Sequence, residues 1–267
     1  MADDTHYLGV DIGSLSCDAV LVDAWGEVVA WAVVPTGARN LEAIASARQQ
    51  VLERAGLDAN APVSVVATGY GRSRVEDRLA AVTEITCHAR GIQALLPGTT
   101  LLVDIGGQDS KAILLDGKGR VVEFAMNDKC AAGTGRFLEA MARAMQVELQ
   151  QLGELDRLAR SGSLTLSSMC TVFAESEVVS LVADGAEVPQ IVGALHRAIA
   201  ARTQALVRRV CPDTAARAVA MSGGVARNLG VVRAIGSLLG CEIAVPPEPD
   251  TVGALGAALI ARERAGA

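Results

Sequence analysis

Short apolar blocks of strand-like character open the chain, and a helical period follows them. Residues 7–12, 19–23 and 27–34 are rich in β-branched and aliphatic side chains and are separated by tight-turn residues, which predicts two or three strands. Residues 39–55 place Leu41, Ile44, Ala45, Val51 and Leu52 on one helical face. A strand at 63–67 ends in TGYGR at 68–72, and helical patterns continue to about Leu96, where Pro97 and Gly98 stop them. Further on, the pattern predicts helices near 134–146, 149–160, 171–184, 188–210 and 226–239. It predicts strands at 217–222 and 241–245, and a small-residue helix from Thr251 to about Arg264.

The opening block recurs. LGVDIGS at 8–14 matches LLVDIGG at 101–107, AVLVD at 19–23 matches AILLD at 112–116, and GEVV at 26–29 matches GRVV at 119–122. Every match is offset by 93 positions, and residues 8–34 share 12 of 27 identities with 101–127 without a gap. This is an internal duplication: an α/β protein of two domains, each led by a hairpin whose turn carries an aspartate and a glycine. The expected division is 1–96 for the first domain, with the helix 251–267 packing back on it, and 97–250 for the second.

Composition narrows the chemistry. Apolar residues make up 51%, aromatics only 3%, and glycine occurs 27 times, so the cores are aliphatic and the turns tight. A net charge of −6 gives no electrostatic footprint for nucleic acid. No apolar run reaches transmembrane length, and the start MADD lacks the basic region of a signal peptide, so a cytoplasmic protein without membrane contact is expected. Six cysteines without a CxxC spacing point to buried thiols or metal ligands rather than disulfides.

Two aspartate-bearing hairpins can present backbone N–H groups and hydroxyls to phosphates while their carboxylates hold a hydrated Mg²⁺. The first offers Asp11 with Gly13, Ser14, Leu15 and Ser16. The second offers Asp104 with Gly106, Gly107, Gln108, Asp109, Ser110 and Lys111. The stretch MSGGVARN at 221–228 runs a strand into Gly223 and Gly224, which lets backbone approach a flat or anionic ligand and favours a purine contact. The stretch NDKCAAGTGR at 127–136 ends one strand and opens a helix. Its cysteine sits beside a glycine-rich turn whose N–H groups and helix dipole suit an anionic partner. A second such cysteine stands in SSMCTVFAE at 167–175.

Together these pieces resemble the actin–sugar kinase–Hsp70 ATPase superfamily. Residues 11–18 look like its first phosphate motif, 104–111 its second, 221–228 its adenosine motif and PDTVGALG at 249–256 its second connecting helix. Glu84, in TEITCHARG at 83–91, occupies the first connecting helix. The resemblance implies two actin-like, ribonuclease H-like domains with a nucleotide cleft between them, and Glu84 positioning the attacking water. The stretches NDKCAAGTGR, CTVFAESE at 170–177 and TGYGR at 68–72 are similar to the activators of 2-hydroxyacyl-CoA dehydratases and the ATPase subunits of benzoyl-CoA reductase.

That closer resemblance implies an iron–sulfur ATPase. A homodimer would share one [4Fe–4S] cluster between Cys130 and Cys170 of each chain, since such clusters take four thiolates. The electron would come from ferredoxin or flavodoxin. ATP hydrolysis to ADP would then drive it to a 2-hydroxyacyl-CoA dehydratase or a related acyl-CoA reductase. Asp11 and Asp104 would hold Mg²⁺ through water. Ser14, Gly106, Gly107 and Gln108 would contact phosphates, Gly133 and Gly135 would set the cluster loop beside the nucleotide, and Gly223, Gly224 and Asn228 would line the adenosine. Cys17, Cys87, Cys211 and Cys241 read as small buried residues, and His88 and His196 as satisfied helix residues. One position departs from the pattern: relatives carry lysine where this chain has Asp18, while the duplicated position keeps Lys111. Either Asp18 points away from phosphate or phosphate is handled differently here. A benzoyl-CoA reductase-type subunit, a cluster-free small-molecule kinase or chaperone-like switch, and an actin-like polymer are the competing readings.

Overall fold

The computed structural model describes residues 5–159, 164–167 and 170–266. The expected helix end at residue 160, Ser168 and Met169 before the second cysteine, the acidic start at 1–4 and Ala267 lie outside them. In chain order the first elements are β1 (Tyr7–Ile12), β2 (Ser16–Val22), β3 (Val28–Pro35), α1 (Asn40–Arg54), β4 (Ser64–Gly69), β5 (Ala80–Ala81) and α2 (Glu84–Leu95). There follow β6 (Leu101–Ile105), β7 (Ser110–Leu115), β8 (Val121–Asn127), α3 (Gly135–Ala144), α4 (Leu152–Leu158), α5 (Thr171–Ala183) and α6 (Val188–Val207). The chain ends with β9 (Val219–Ser222), α7 (Leu229–Leu239), β10 (Ile243–Ala244) and α8 (Val252–Ala265).

Two compact units emerge. One holds the residues up to Thr100, Leu115–Val122 and the segment from Pro246 on. The other holds Leu101–Leu114 and Glu123–Val245. Each unit is built on a five-stranded sheet, ordered β3-β2-β1-β4-β5 in the first and β8-β7-β6-β9-β10 in the second. The two orders are the same order. In both, the leading hairpin is antiparallel and its first strand pairs parallel with the next incoming strand.

In the first unit, Leu8, Val10 and Ile12 of β1 are buried with Ala43, Ala47, Val51 and Leu52 of α1. On the other side α8 lies against β1 and α2, and every residue from Val252 to Ala261 is buried. Its small residues are what permit this. A Cβ on Gly256 would stand 1.8 Å from the Cys87 carbonyl oxygen, so the two helices touch backbone to backbone. In the second unit, Phe137 and Met141 of α3, Leu195 and Ile199 of α6 and Ile235 of α7 share one core with Val103 and Ile105 of β6. Among the described residues no helix is long and apolar enough to cross a membrane.

Three expectations are corrected. Residues 72–83 are not helical: a single 3-10 turn covers Arg72–Arg74, and β5 then joins the sheet. Leu79 donates its N–H to the Val65 carbonyl and Val82 to that of Ala67, so pairing with β4 outweighs the local periodicity. The helix expected from 149 begins with a 3-10 turn at Leu149–Gln151, capped reciprocally by Glu148 and Gln151, before α4. The strand expected at 241–245 pairs only at Ile243 and Ala244.

Candidate functional site

Each unit carries a candidate ligand turn of its own, at the head of its leading hairpin. In the first, the Gly13 N–H closes the turn on the Ser16 carbonyl at 2.9 Å. In the second, the Gly106 N–H closes it on the Asp109 carbonyl at 3.0 Å. The strands pair Asp11 with Asp18 and Asp104 with Lys111, the same two register positions 93 residues apart. Gly13, Ser14, Leu15 and Ser16 are partly exposed at the first turn, as are Gly106 and Gly107 at the second, where Gln108 is exposed. Thr36 pins the first turn from β3, with its hydroxyl on the Gly13 carbonyl and its N–H on that of Leu15, both at 2.9 Å.

The carboxylates sit behind the turns. Asp104 accepts from Lys111 Nζ at 3.0 Å and from the Ser222 hydroxyl at 2.8 Å. Lys111 also pairs with Asp109, and it is 2% exposed, so its charge is spent inside the hairpin rather than offered to a ligand. In the first unit Ser16 donates to Asp18 Oδ2 at 3.1 Å, while Asp18 Oδ1 is buried without a hydrogen-bond partner among the described residues. Burial, then the charges of Asp11 and Asp250, push the Asp18 carboxyl well above the usual carboxylate range. The aspartate in the lysine position is therefore held inside the hairpin, shifted toward its neutral form.

The strand following each hairpin completes that unit's site. Asp11 pairs in register with Thr68 and Asp104 with Ser222. Gly69 and Gly223 come next, both with positive φ (85° and 83°), and a Cβ on either would stand 2.4 Å from the carbonyl oxygen of Ile12 or Ile105. The duplication thus extends to these turns, a match the sequence reading missed. Gly224 lies just past the second turn and is exposed. Asn228 caps α7 through its Oδ1, which accepts from Gly230 and Val231 N–H, and its Nδ2 lies 3.1 Å from His196 Nε2. His196 in turn lies 3.1 Å from Asp156, whose carboxyl is lowered to about 2, first by that histidine and then by Arg233.

Glu84 is the half-buried first residue of α2, under a Thr83 cap. One turn on, His88 donates its Nδ1 proton to the Glu84 carbonyl at 3.0 Å. A Cβ on Gly253 would stand 2.1 Å from Asp11 Oδ2 and 2.7 Å from His88 Cε1, so histidine and carboxylate meet over that glycine. The i, i+4 spacing of Glu84 and His88 on one helix was the signal for this neighbour, which the sequence reading set aside as a satisfied helix residue.

The cysteine loop is fastened to the second hairpin. Gly135 donates its N–H to the Gly106 carbonyl and Arg136 to that of Gly107, both at 2.9 Å, and the Thr134 hydroxyl donates to Gly107 at 2.9 Å. The N–H groups at the start of α3, expected to face an anion, are committed to the hairpin instead. Gly133 is buried with φ 83°, and the Asn127 amide donates to the Cys130 carbonyl at 3.0 Å. Cys130 is partly exposed, and Cys170 is exposed at the N-terminus of α5. Cys17, Cys87 and Cys211 are buried and Cys241 partly so. Burial pushes the thiol of Cys87 up to about 12 and raises those of Cys17 and Cys241, so these three stay protonated. Among the described residues no three histidine, cysteine or carboxylate side chains converge to hold a metal. Two thiolates fall short of the four that an iron–sulfur cluster takes, so Cys130 and Cys170 alone would not complete one.

Known proteins agree with this architecture. The chain is 45% identical to the activator of lactoyl-CoA dehydratase from Anaerotignum propionicum, over 97% of this chain and 98% of that one. A solved structure of the activator of the 2-hydroxyisocaproyl-CoA dehydratase from Clostridium difficile, with bound ADPNP, superposes with a TM-score of 0.91 at 40% identity, covering 98% of this chain and 96% of that one. The (R)-2-hydroxyglutaryl-CoA dehydratase component A from Acidaminococcus fermentans superposes at 0.92 with 38% identity, covering 99% and 100%. The two sheets are those of the actin-like ATPase fold. The model of one ATPase family matches residues 8–261, and the chain belongs to it: the BadF/BadG/BcrA/BcrD ATPase family.

Proposed function

We propose that this ATPase is an electron-transfer activator of a 2-hydroxyacyl-CoA dehydratase-type enzyme, and that it works as a homodimer sharing one [4Fe–4S] cluster. The observation that carries the reading is the set of hydrogen bonds from Thr134, Gly135 and Arg136 to Gly106 and Gly107. The phosphate turn and the cysteine loop are thereby one mechanical piece, so a phosphate that shifts Gly106 and Gly107 also shifts Cys130. Cys130 and Cys170 of each chain would hold the cluster, which when bound supplies one-electron chemistry.

The start of α5 supports the second copy. Val172 and Phe173 are 69% and 67% exposed directly after Cys170, and Val179 and Val182 are also exposed. An apolar helix face of this kind is expected to be covered by another chain. Ser14, Gly106, Gly107 and Gln108 would contact ATP phosphates. Asp11 and Asp104 would orient a hydrated Mg²⁺, Glu84 would orient the attacking water, and Gly223 and Gly224 would take the adenosine. Asn228 would act there by fixing the α7 terminus that follows. Ferredoxin or flavodoxin would be the donor. The cytoplasm suits the six free thiols.

Anaerobic purification with iron and sulfide analysis tests the reading. The expected product is a brown dimer with four iron atoms per two chains, bleached by Cys130→Ala and by Cys170→Ala. A colourless protein, or a cluster that survives Cys130→Ala, sinks the cluster assignment. ATP-driven electron transfer that persists in an Asp104→Ala variant without ATPase activity sinks the coupling.

A further inference from the structure

Behind the cysteine loop, wholly within the second unit, lies a cavity of about 270 Å³. Its wall includes Ser110 of β7, Asn127 of β8, Gly133, and Arg202, Thr203 and Arg209 from α6 and the residues just past it. Among the described residues no carboxylate lines it. Among the described residues neither the Arg202 nor the Arg209 guanidinium has a hydrogen-bond or ion-pair partner. Some arginines are engaged by carboxylates, as Arg48 is with Asp77, Arg90 with Glu263 and Arg233 with Asp156, while others such as Arg143 and Arg208 have no side-chain partner among the described residues; what sets Arg202 and Arg209 apart is that they line one cavity together.

Arg202 lies on α6 and Arg209 two residues past its last residue, Val207, and both line the cavity. Like charges so placed repel in the absence of a counter-ion. Arg202 is half-buried, with its Cδ 3.1 Å from where a Cβ on Gly133 would stand, so its stem is held against the loop. Ser110 adds a hydroxyl and Asn127 an amide. Unpaired guanidinium forks with neutral hydrogen-bonding groups between them are the chemistry that recognises a phosphate. Ligand pockets run to roughly 300–1,000 Å³, so this cavity lies at the small end and suits a compact anion.

We infer that this cavity is a second anion site, beside the second hairpin whose Ser110 it shares, which binds a small phosphate-bearing anion between Arg202 and Arg209. The inference does not depend on the cluster. The ligand is either free phosphate or a short phosphomonoester, and the Asn127 amide connects its pocket to the Cys130 carbonyl.

Isothermal titration of the full-length protein, first saturated with Mg²⁺ and ADPNP, measures the site with the ATP position already filled. Inorganic phosphate is one titrant and glycerol 3-phosphate the other, at constant ionic strength. The expected result is saturable binding of one anion per chain, weakened at least about tenfold in Arg209→Gln, equivalent to about 1.4 kcal/mol. Arg209 is exposed and its replacement leaves the core intact; Arg202→Gln should act in the same direction. The anion that binds tighter identifies the source. Absence of saturable binding by both anions, or an unchanged affinity in Arg209→Gln, overturns the site.

Discussion

The two hairpins share a backbone and differ in charge. Their turns close with the same hydrogen bond, their aspartates occupy the same register, and each aspartate faces a hydroxyl-bearing residue and then a glycine of positive φ on the neighbouring strand. In the second hairpin a buried lysine lies between two carboxylates, Asp104 and Asp109. In the first, Asp18 replaces the lysine and Ser16 replaces the second carboxylate. The geometry of the turn therefore does not require the cation. Backbone closure sets the turn, and the residues behind it set how much charge the turn must carry.

Removing the lysine should give the largest effect. Lys111→Met keeps the volume and leaves Asp104 and Asp109 buried without their cation. Breaking a buried pair on one side costs about 3–5 kcal/mol, against a total stability of roughly 5–15 kcal/mol. Urea unfolding of the variant reads this directly. A loss below about 1 kcal/mol, the level of an exposed pair, would show that the lysine is not needed to balance the hairpin.

The second effect has the opposite sign and belongs to the first hairpin. The Asp18 carboxyl is raised in the folded state by burial and by its acidic neighbours. Its favourable share of stability is complete below the unfolded value of about 3.9 and declines as pH rises toward the folded one. Asp18→Asn removes that decline. The variant should match the parent in acid and unfold at a higher temperature at neutral pH. Calorimetry from acid to neutral pH decides it, and a gap between the two proteins that fails to widen with pH refutes the buried, neutral carboxyl.

How much of this was legible follows from distance along the chain. The hairpins were readable because their partners are neighbours in sequence and recur at one fixed offset of 93. The match of Thr68 and Gly69 to Ser222 and Gly223 was not, because it lies 154 positions along. The helices α3, α4 and α5 stand between β8 and α6 with no counterpart between β3 and α1, and they displace the repeat. Residues 79–82 were unreadable for a related reason: their hydrogen bonds go to β4, a partner no local period reveals. At the candidate site the sequence supplied the residues, while the fold supplied their commitments. Lys111 turned inward, α3 spent its N–H groups on the hairpin, and His88 met Asp11 through a glycine from the far end of the chain.

The smallest effect separates the hydroxyls that face the two aspartates. Ser222 donates to the Asp104 carboxylate at 2.8 Å, and both are buried. Thr68 stands at the equivalent register position, but its hydroxyl is buried without a hydrogen-bond partner among the described residues. Ser222→Ala should cost roughly 1–2 kcal/mol, because a buried carboxylate loses a donor. Thr68→Val, which keeps the shape, should cost well under 1 kcal/mol. Both are measured by the same unfolding assay. Equal losses would mean that Thr68 also supports its aspartate, and the difference between the hairpins would then rest on Lys111 and Asp18 alone. A large loss at Ser222 with little at Thr68 would place the hydroxyl and the lysine of the second hairpin together in the service of holding Asp104 in place.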